Sequence, residues 1–271
     1  MRTFLLLGLA AFLAGCSPQP GHKDGHDTKG DPATGHDMHG GAASKPTLHV
    51  RTDPTSPDAG KPVMLKLMIH GPDGKAVKDF AVVHEMKVHL IIVRDGLDTF
   101  AHLHPVVDEA GNITATYTFP TGGTYRLFAD HQPTGGSAAT AEAEVKVAGE
   151  APPLPPLKPD VPGVAKGDGL DAKVSVSGVK AGGMGTIRFE IADKAGKPVA
   201  DLQPYMGARG HLVVISQDGK QYVHAHPADE KGAVDVVAFG VHFPLTGLYK
   251  GWGQFRRGGE VRIVPFVLRV E

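Results

Sequence analysis

Histidine is the residue type that offers this chain the most chemistry, because fifteen histidines occur against a single cysteine. One pattern occurs twice: a histidine begins an apolar run, and an H-x-H-P motif follows 13 residues later. The two copies read HLIIVRDGLDTFAHLHP, with His89, His102 and His104, and HLVVISQDGKQYVHAHP, with His211, His224 and His226. Imidazole nitrogens suit zinc and copper. The pattern therefore predicts a metal site in each copy.

The hairpin between the histidines decides whether the three rings of the first copy share a face. A two-residue loop at Asp95-Gly96 places His89 opposite His102, whereas a four-residue loop places it opposite His104. Either loop leaves the three rings on one sheet face, because side chains alternate along a strand with a period of two. We therefore expect three imidazoles close enough to share one ion.

In the second copy the Asp-Gly turn lies one residue later, counted from the first histidine, and the same arrangement is predicted. A two-residue loop at Asp218-Gly219 pairs His211 with His226. We therefore expect this copy to present its three imidazoles on one face as well.

Two methionines favour copper over zinc. Met86 precedes His89 by three residues and Met206 precedes His211 by five, and thioether ligands favour copper, particularly Cu(I). A blue-copper site needs a thiolate, and Cys16 is the only cysteine, so that class is excluded. We expect a copper ion, with zinc as the alternative.

Enzyme motifs find no support in this sequence. A phosphate-binding glycine loop, a G-x-S-x-G elbow and an H-E-x-x-H motif are all missing. His84-Glu85 begins such a zinc motif, but Val88 stands where its second histidine belongs. We therefore do not expect an enzyme.

The N-terminus predicts a lipid anchor. A positive Met1-Arg2 precedes a short apolar run that ends in Leu-Ala-Gly-Cys, which resembles a bacterial lipobox with Cys16 as the lipidated residue. Ser17 after the cysteine is similar to lipoproteins sent to the outer membrane. We expect 1–15 to be a signal peptide and the mature protein to be lipid-anchored in the bacterial cell envelope, facing the periplasm.

Residues 16–46 predict a disordered stalk, because they hold almost no apolar surface to offset the entropy of ordering. This stalk is rich in side chains that bind metals loosely, namely His22, His26, His36, Met38 and His39.

The elements that position the histidines are strands. Apolar or alternating runs separated by Gly, Pro, Asp and Asn recur about seven times in each copy, which is typical of an immunoglobulin-like or cupredoxin-like β-sandwich. FPTGGTYRLFADHQ and FPLTGLYKGWGQFR match without a gap and extend the duplication. We expect an all-β chain with sandwich domains at 47–148 and 169–271. The Pro-rich linker at 149–168 predicts a semi-rigid spacer of about 40 Å when fully extended.

The repeated histidine pattern, with the later F-P-x-x-G-x-Y segment, resembles the YtkA-like family of secreted β-sandwich domains. The resemblance covers roughly 60–147 and 170–270 and implies an immunoglobulin-like fold, an envelope location and a link to copper handling. A balance of 28 Lys+Arg against 29 Asp+Glu excludes the basic surface of a nucleic-acid binder. We therefore predict an envelope-tethered protein that buffers or delivers copper to a metal transporter or cuproenzyme. The alternative is a non-metal scaffold or interaction module of an envelope complex.

Overall fold

A computed structural model of the chain describes residues 45–225, 227 and 234–271, and these residues form an all-β fold of two tandem domains, as the sequence predicts. The first domain holds eight strands: β1 (Thr47–Asp53), β2 (Pro62–His70), β3 (Val88–Arg94), β4 (Phe100–Leu103), β5 (Val106–Val107), β6 (Ile113–Thr118), β7 (Gly123–His131) and β8 (Ala139–Val147). The strands run in the order β4-β3-β7-β8-β1-β2-β6-β5. They form two layers, because β8 meets β1 only through the parallel pair Thr47↔Glu142.

The second domain repeats this plan with two separate four-stranded sheets. Its strands are β9 (Gly163–Lys166), β10 (Leu170–Ser177), β11 (Gly183–Asp193), β12 (His211–Ser216), β13 (Tyr222–Ala225), β14 (Val236–Phe243), β15 (Gly247–Arg257) and β16 (Glu260–Val270). The sheet orders are β14-β11-β10-β9 and β13-β12-β15-β16. The second order corresponds to β4-β3-β7-β8, so each H-x-H hairpin lies at one edge of equivalent sheets.

Alternating burial explains most of these strands. In β2 the side chains of Val63, Leu65, Leu67 and Ile69 are buried, while Met64 and Lys66 are exposed. Such alternation is typical of a strand with one face on a core and the other in solvent. Each sandwich therefore buries one apolar face of each sheet.

The repeated F-P-x-x-G-x-Y segment forms a tyrosine corner in each domain. The Tyr125 hydroxyl donates to the Thr121 carbonyl, and the Tyr249 hydroxyl donates to the Leu245 carbonyl at the same 2.9 Å. This arrangement is a feature of immunoglobulin-like sandwiches, where it fixes the entry into a central strand.

Strands β3 and β12 depart from the alternation, because every residue in them is buried. In β3, Leu90 and Ile92 face the core of their own domain, whereas Ile91 and Val93 belong to a second cluster. This interdomain apolar cluster draws on both domains and comprises Ile91, Val93, Leu97, Phe128, Val213, Ile215 and Trp252. The two domains therefore pack directly against each other through equivalent sheets.

The interdomain contact is reciprocal. Phe100 stacks on Trp252, and Phe128 stacks on Tyr222, each with ring centroids 4.6 Å apart. Phe100 and Tyr222 are equivalent in the duplication, as are Phe128 and Trp252. The same surface of each domain is therefore used, as in an isologous interface with a two-fold axis.

The Pro-rich linker does not act as a spacer between separated domains. Arg94 donates to the Pro152 carbonyl at 3.2 Å, and Leu157 packs on the interdomain apolar cluster. The linker is also shorter than 149–168, because β9 lies inside that range and pairs with β10. The short β5 and β9 carry too few alternating residues to be recognised in the sequence. Among the described residues, no helix has the length and apolarity to cross a membrane.

Candidate metal centre

Strands β3 and β4 bring the three imidazoles of the first copy to one face. Ile91 pairs with His102, so the register is that of a four-residue loop, and the two-residue alternative is wrong. His89 lies at the start of β3, and His104 lies just beyond the end of β4. Ligand nitrogens of all three side chains lie within 4.8 Å of one another.

The second copy has the predicted register, in which Val213 pairs with His224. The Nδ1 atom of His211 lies 3.4 Å from Nε2 of His224, and the corresponding atoms of His89 and His102 are 3.1 Å apart. The third imidazole of this copy, His226, lies outside the described residues.

The outer nitrogens of these rings fix the protonation of the inner ones. His89 Nε2–H donates to the Val83 carbonyl at 3.1 Å, and His102 Nδ1–H donates to Gln254 Oε1 at 2.9 Å. A neutral imidazole carries one proton, so a ring that donates through one nitrogen has a lone pair on the other. His89 Nδ1 therefore presents its lone pair to His102 Nε2, 3.1 Å away.

The second copy repeats this protonation pattern. His211 Nε2–H donates to the Tyr205 carbonyl at 3.0 Å, and His224 Nδ1–H donates to Asp130 Oδ2 at 2.8 Å. In each copy a ring nitrogen of one histidine lies within 3.4 Å of a ring nitrogen of the next, so a proton or a cation between them joins the two rings.

Burial disfavours protonation of these imidazole rings. Removal from solvent lowers the pKa of His89, lowers that of His102 well below its usual value, and lowers that of His211 to about 3. The pKa of His104 falls to about 4, also mainly through burial, and its Nε2 has no hydrogen-bond partner among the described residues. The rings are therefore neutral at neutral pH, which is the form that binds metals.

The two sets of histidines form one cluster across the domain interface. The ring centroids of His102 and His224 are 5.3 Å apart, and those of His89 and His211 are 6.2 Å apart. We call His89, His102, His104, His211 and His224 the histidine cluster. The sequence predicts one site per copy and does not indicate that the two sites adjoin.

Each domain also supplies the partner that orients a ring of the other domain. Gln254 of β15 accepts from His102, and Asp130 of β7 accepts from His224. Gln254 and Asp130 are equivalent in the duplication, so this exchange follows the same two-fold relation as the aromatic stacks. Outer partners of this kind fix the tautomer of a metal-binding histidine and tune its basicity.

Asp130 is the carboxylate nearest to this chemistry. Tyr222 and Thr140 donate to it through their hydroxyls, at 2.5 and 2.7 Å, in addition to His224. Burial alone would raise the pKa of Asp130, but the hydrogen bond from His224 and these further donors hold it below its usual value. The cluster therefore has a half-buried negative charge beside it.

The two methionines are not equivalent in the fold. Met86 closes a tight turn with Val83, whereas Met206 lies inside the corresponding turn between Tyr205 and Ala208, with a positive φ of 54°. The counterpart of Met206 is His84, whose ring lies 5.9 Å from that of His211. The turns themselves matter, because the carbonyls of Val83 and Tyr205 accept from the clustered histidines.

Several predicted residues lie outside the described part of the chain. These are Cys16 and the stalk residues His22, His26, His36, Met38 and His39, together with the signal peptide.

Sequence reasoning missed Asp130, Gln254, Tyr222 and the two turn carbonyls. One signal was available: HLIIV and HLVVI are apolar at every position, whereas a strand with one face in solvent alternates. An unbroken run at a sheet surface indicates that a second layer covers it.

A cleft of about 520 Å³ opens beside the histidine cluster. Side chains of both domains line it, including His84 and His89 from the first and His224 and His242 from the second. This cleft provides a route from solvent to the clustered rings.

Solved structures that match this chain have low sequence identity to it. An Escherichia coli adhesin, FdeC, is 16% identical over 85% of this chain and 65% of its own, with a TM-score of 0.28. A Ca²⁺-stabilised adhesin of an Antarctic bacterium is 10% identical over 84% and 48%, with a TM-score of 0.26. Red sea bream transglutaminase is 10% identical over 84% and 31%, also with a TM-score of 0.26. The chain thus spans less than two thirds of each of these structures, and such scores carry no argument about function.

Comparison with protein-family models identifies the family to which the chain belongs. No curated protein matches the chain. A family model matches it twice, at residues 43–149 and 165–271, which confirms the duplication and does not confirm the YtkA-like name. The chain therefore belongs to the family described as Domain of unknown function (DUF8832), with two copies of the domain.

Proposed function

We propose that this protein binds a copper ion, or as second choice zinc, in the histidine cluster between its two domains. It would then buffer the ion or deliver it to a membrane transporter or cuproenzyme. The observation that carries the proposal is the close approach of ring nitrogens in each copy: His89 Nδ1 lies 3.1 Å from His102 Nε2, and His211 Nδ1 lies 3.4 Å from His224 Nε2.

The facing nitrogens have the spacing of ligands to one ion. Ligand nitrogens lie about 2.0–2.1 Å from a bound zinc, so two of them at a tetrahedral angle are about 3.3 Å apart. Distances of 3.1 and 3.4 Å bracket that value. A cation bound between such nitrogens would take the place of the proton that otherwise joins them.

The ligand chemistry supports copper and zinc over other common ions. Neutral imidazoles suit both metals, whereas calcium and magnesium need oxygen ligands. Among divalent ions, Cu²⁺ binds more tightly than Zn²⁺ to a given nitrogen site in the Irving–Williams order. Sulfur from Met86 or Met206 would strengthen the preference for Cu(I).

The envelope part of the proposal rests on the sequence. Lipidation of Cys16 would anchor the protein in the envelope, and the stalk histidines would collect ions loosely near the domains. The cleft beside His89 and His224 supports exchange of the ion with solvent or with a partner.

Metal retention tests the proposal. The full chain, with the stalk histidines replaced by Gln and Met38 by Leu, is dialysed with copper or zinc and then against metal-free buffer. We expect near-stoichiometric retention that is lost when His102→Ala, His104→Ala and His224→Ala are combined. X-ray absorption would reveal sulfur at about 2.3 Å if a methionine ligates, by analogy with known metal–sulfur distances.

A matched control separates the cluster from histidine content. His49 is exposed on β1, outside the histidine cluster, so His49→Gln should leave retention unchanged. No retention by the stalk-substituted chain would overturn the proposal and favour the scaffold alternative.

A further inference from the structure

A second group of metal-binding side chains lies at the rim of the cleft beside the histidine cluster. His242 belongs to β14, and its exposed side chain lines the cleft. Met184 of β11 pairs with His242 directly across the sheet, and it is 68% exposed. We call Met184 and His242 the rim pair. An imidazole and a thioether therefore lie next to each other where the cleft opens to solvent.

The geometry of the rim pair suits one small cation. Residues opposite each other in antiparallel strands share a face, with Cβ atoms about 4.5–5.5 Å apart. With the bond lengths that zinc makes to nitrogen and sulfur, about 2.0 and 2.3 Å, two ligands on one ion are at most about 4.3 Å apart. A methionine side chain is long and flexible, so its sulfur can reach that distance without movement of the backbone.

The wall of the cleft offers a further imidazole. His131 lines the cleft, and its Nδ1–H donates to the Ala129 carbonyl at 3.0 Å. The lone pair of this ring is therefore on Nε2, for which the described residues provide no hydrogen-bond partner. Burial lowers the pKa of His131, so the ring is neutral at neutral pH. Neutral imidazole is the form that binds metals.

The cleft connects these side chains with the histidine cluster. His89 and His224 of the cluster line the same cleft as His131 and His242. Lys87 and Asp130, which carry opposite charges, line it as well. Imidazoles therefore occur at the rim of the cleft, in its wall and beside the cluster.

We propose that Cu⁺ first binds to Met184 and His242 at the rim and then passes along the cleft to the histidine cluster. This inference rests on the proposed function, and it adds the route and the oxidation state of the ion. Thioether ligands favour Cu⁺, which accepts low coordination numbers. The rim pair has only two ligands on exposed side chains, so it would release the ion readily to the cluster, which has more nitrogens.

A site on the route has a kinetic signature that separates it from the final site. It speeds arrival of the ion, and by microscopic reversibility it speeds departure by the same factor. The dissociation constant is the ratio of these two rates and depends on the histidine cluster alone. Loss of the rim pair should therefore slow exchange without weakening binding.

Stopped-flow transfer of Cu⁺ from a chromogenic chelator tests this inference under anaerobic, reducing conditions. The protein is the full chain with the stalk residues substituted as above, and reverse transfer to excess chelator measures release. Met184→Leu keeps an apolar side chain of similar size and removes the sulfur. We expect uptake and release to be about tenfold slower, the lower end of what local concentration of a ligand at a cleft adds to an association rate. His242→Gln should give the same result, and Kd and copper per chain should stay unchanged in both variants.

Matched controls remove the same side-chain types elsewhere. Met64 is 45% exposed on β2, and His49 is exposed on β1, and neither lines the cleft. Met64→Leu and His49→Gln should therefore exchange copper at the parent rate. Zn²⁺ uptake should be less sensitive to Met184→Leu than Cu⁺ uptake is, because the thioether favours Cu⁺.

The outcomes distinguish this inference from the proposed function. Normal copper retention with parent-like rates in Met184→Leu and His242→Gln would overturn the route and leave the proposed function intact. A raised Kd in these variants would also overturn it, because the rim pair would then belong to the final site. A parent chain that retains no copper would overturn both proposals.

Discussion

At the residue scale, the outer hydrogen bonds matter as much as the rings. A histidine on a strand can stabilise a turn by donating to a carbonyl, and His89 and His211 do this. What separates them from structural histidines is that the other nitrogen lies within 3.4 Å of a ring nitrogen of a second histidine. The sequence predicts which residues are involved, but it does not predict which nitrogen is protonated, because a carbonyl acceptor has no side-chain signature.

The carboxylate of Asp130 should raise metal affinity through His224. Asp130→Asn removes its charge and places an amide N–H near the Tyr222 hydroxyl, so we expect affinity to fall 10–100-fold, as for other outer partners. Competition against a chelator of known affinity measures the change. Asp73→Asn, at an exposed loop position with the same change of charge, should leave affinity unchanged. Equal affinities of Asp130→Asn and the parent would contradict an electrostatic role for Asp130.

Burial of neutral histidines should make the metal-free protein less stable in acid. In the unfolded chain their pKa is about 6.5, whereas in the fold it is about 3 for His211 and about 4 for His104. Between these values the unfolded state binds more protons, so the free energy of unfolding falls as pH falls from about 6.5 toward 4. Urea unfolding midpoints at several pH values measure this loss.

His104→Gln supplies the comparison for the pH series. This variant should show a shallower fall, because one of the protonating groups is gone. A midpoint that stays constant between pH 7 and 4.5 would show that these rings are not buried in the neutral form.

At the scale of strands, sequence predicts one face of β3 and β12 better than the other. The side chains that face the sandwich cores can be predicted from the two-residue period of a strand and from the length of each apolar run. The outer faces carry Ile91 and Val213, whose partners come from a domain more than 100 residues away in sequence. A period of two specifies that such residues share a face, but it does not identify what covers that face.

Substitutions at adjacent positions of β3 should have different consequences. Ile91→Asp buries a charge between the domains, so we expect them to separate while each keeps its strands. Ile92→Asp buries the charge inside the first sandwich, so we expect that domain to unfold; a buried unpaired charge costs several kcal/mol or more. Small-angle scattering should detect the larger radius of Ile91→Asp, and far-UV circular dichroism should detect the lost strands of Ile92→Asp.

Met64→Asp is the control for this pair, because Met64 is 45% exposed on β2. The free energy of unfolding of the Met64→Asp variant should differ from that of the parent by about 0.5 kcal/mol or less. Identical behaviour of the Ile91 and Ile92 variants would mean that β3 does not divide its two faces between two cores.

At the scale of the whole molecule, the duplication, the all-β class and the two-domain plan could be predicted from matched spacings. The packing of the domains could not. A linker with six prolines in residues 150–162 indicates stiffness but not direction, and here it runs along the interface. The fusion of two predicted sites into one cluster is therefore a tertiary result, which short-range periodicity does not contain.

An ion bound in the histidine cluster should make the domains unfold together. A ligand that binds only the native state adds about 2.7 kcal/mol at a free concentration of 100 Kd. Because the cluster lies where the two domains pack together, calorimetry with saturating Zn²⁺ should show one transition at a higher temperature than without metal. Two transitions, of which only one moves with zinc, would indicate that a single domain binds the ion.

Gln254 and Asp130 each accept a hydrogen bond from a histidine of the other domain. This arrangement affects how the charge beside the histidine cluster can change. Two identical subunits related by a two-fold axis must change both sides at once, so their charge varies in steps of two. A tandem chain escapes this restriction, because each half is encoded separately. Here an amide occupies one side and a carboxylate the other, which gives an odd charge that no symmetric homodimer of either half would have.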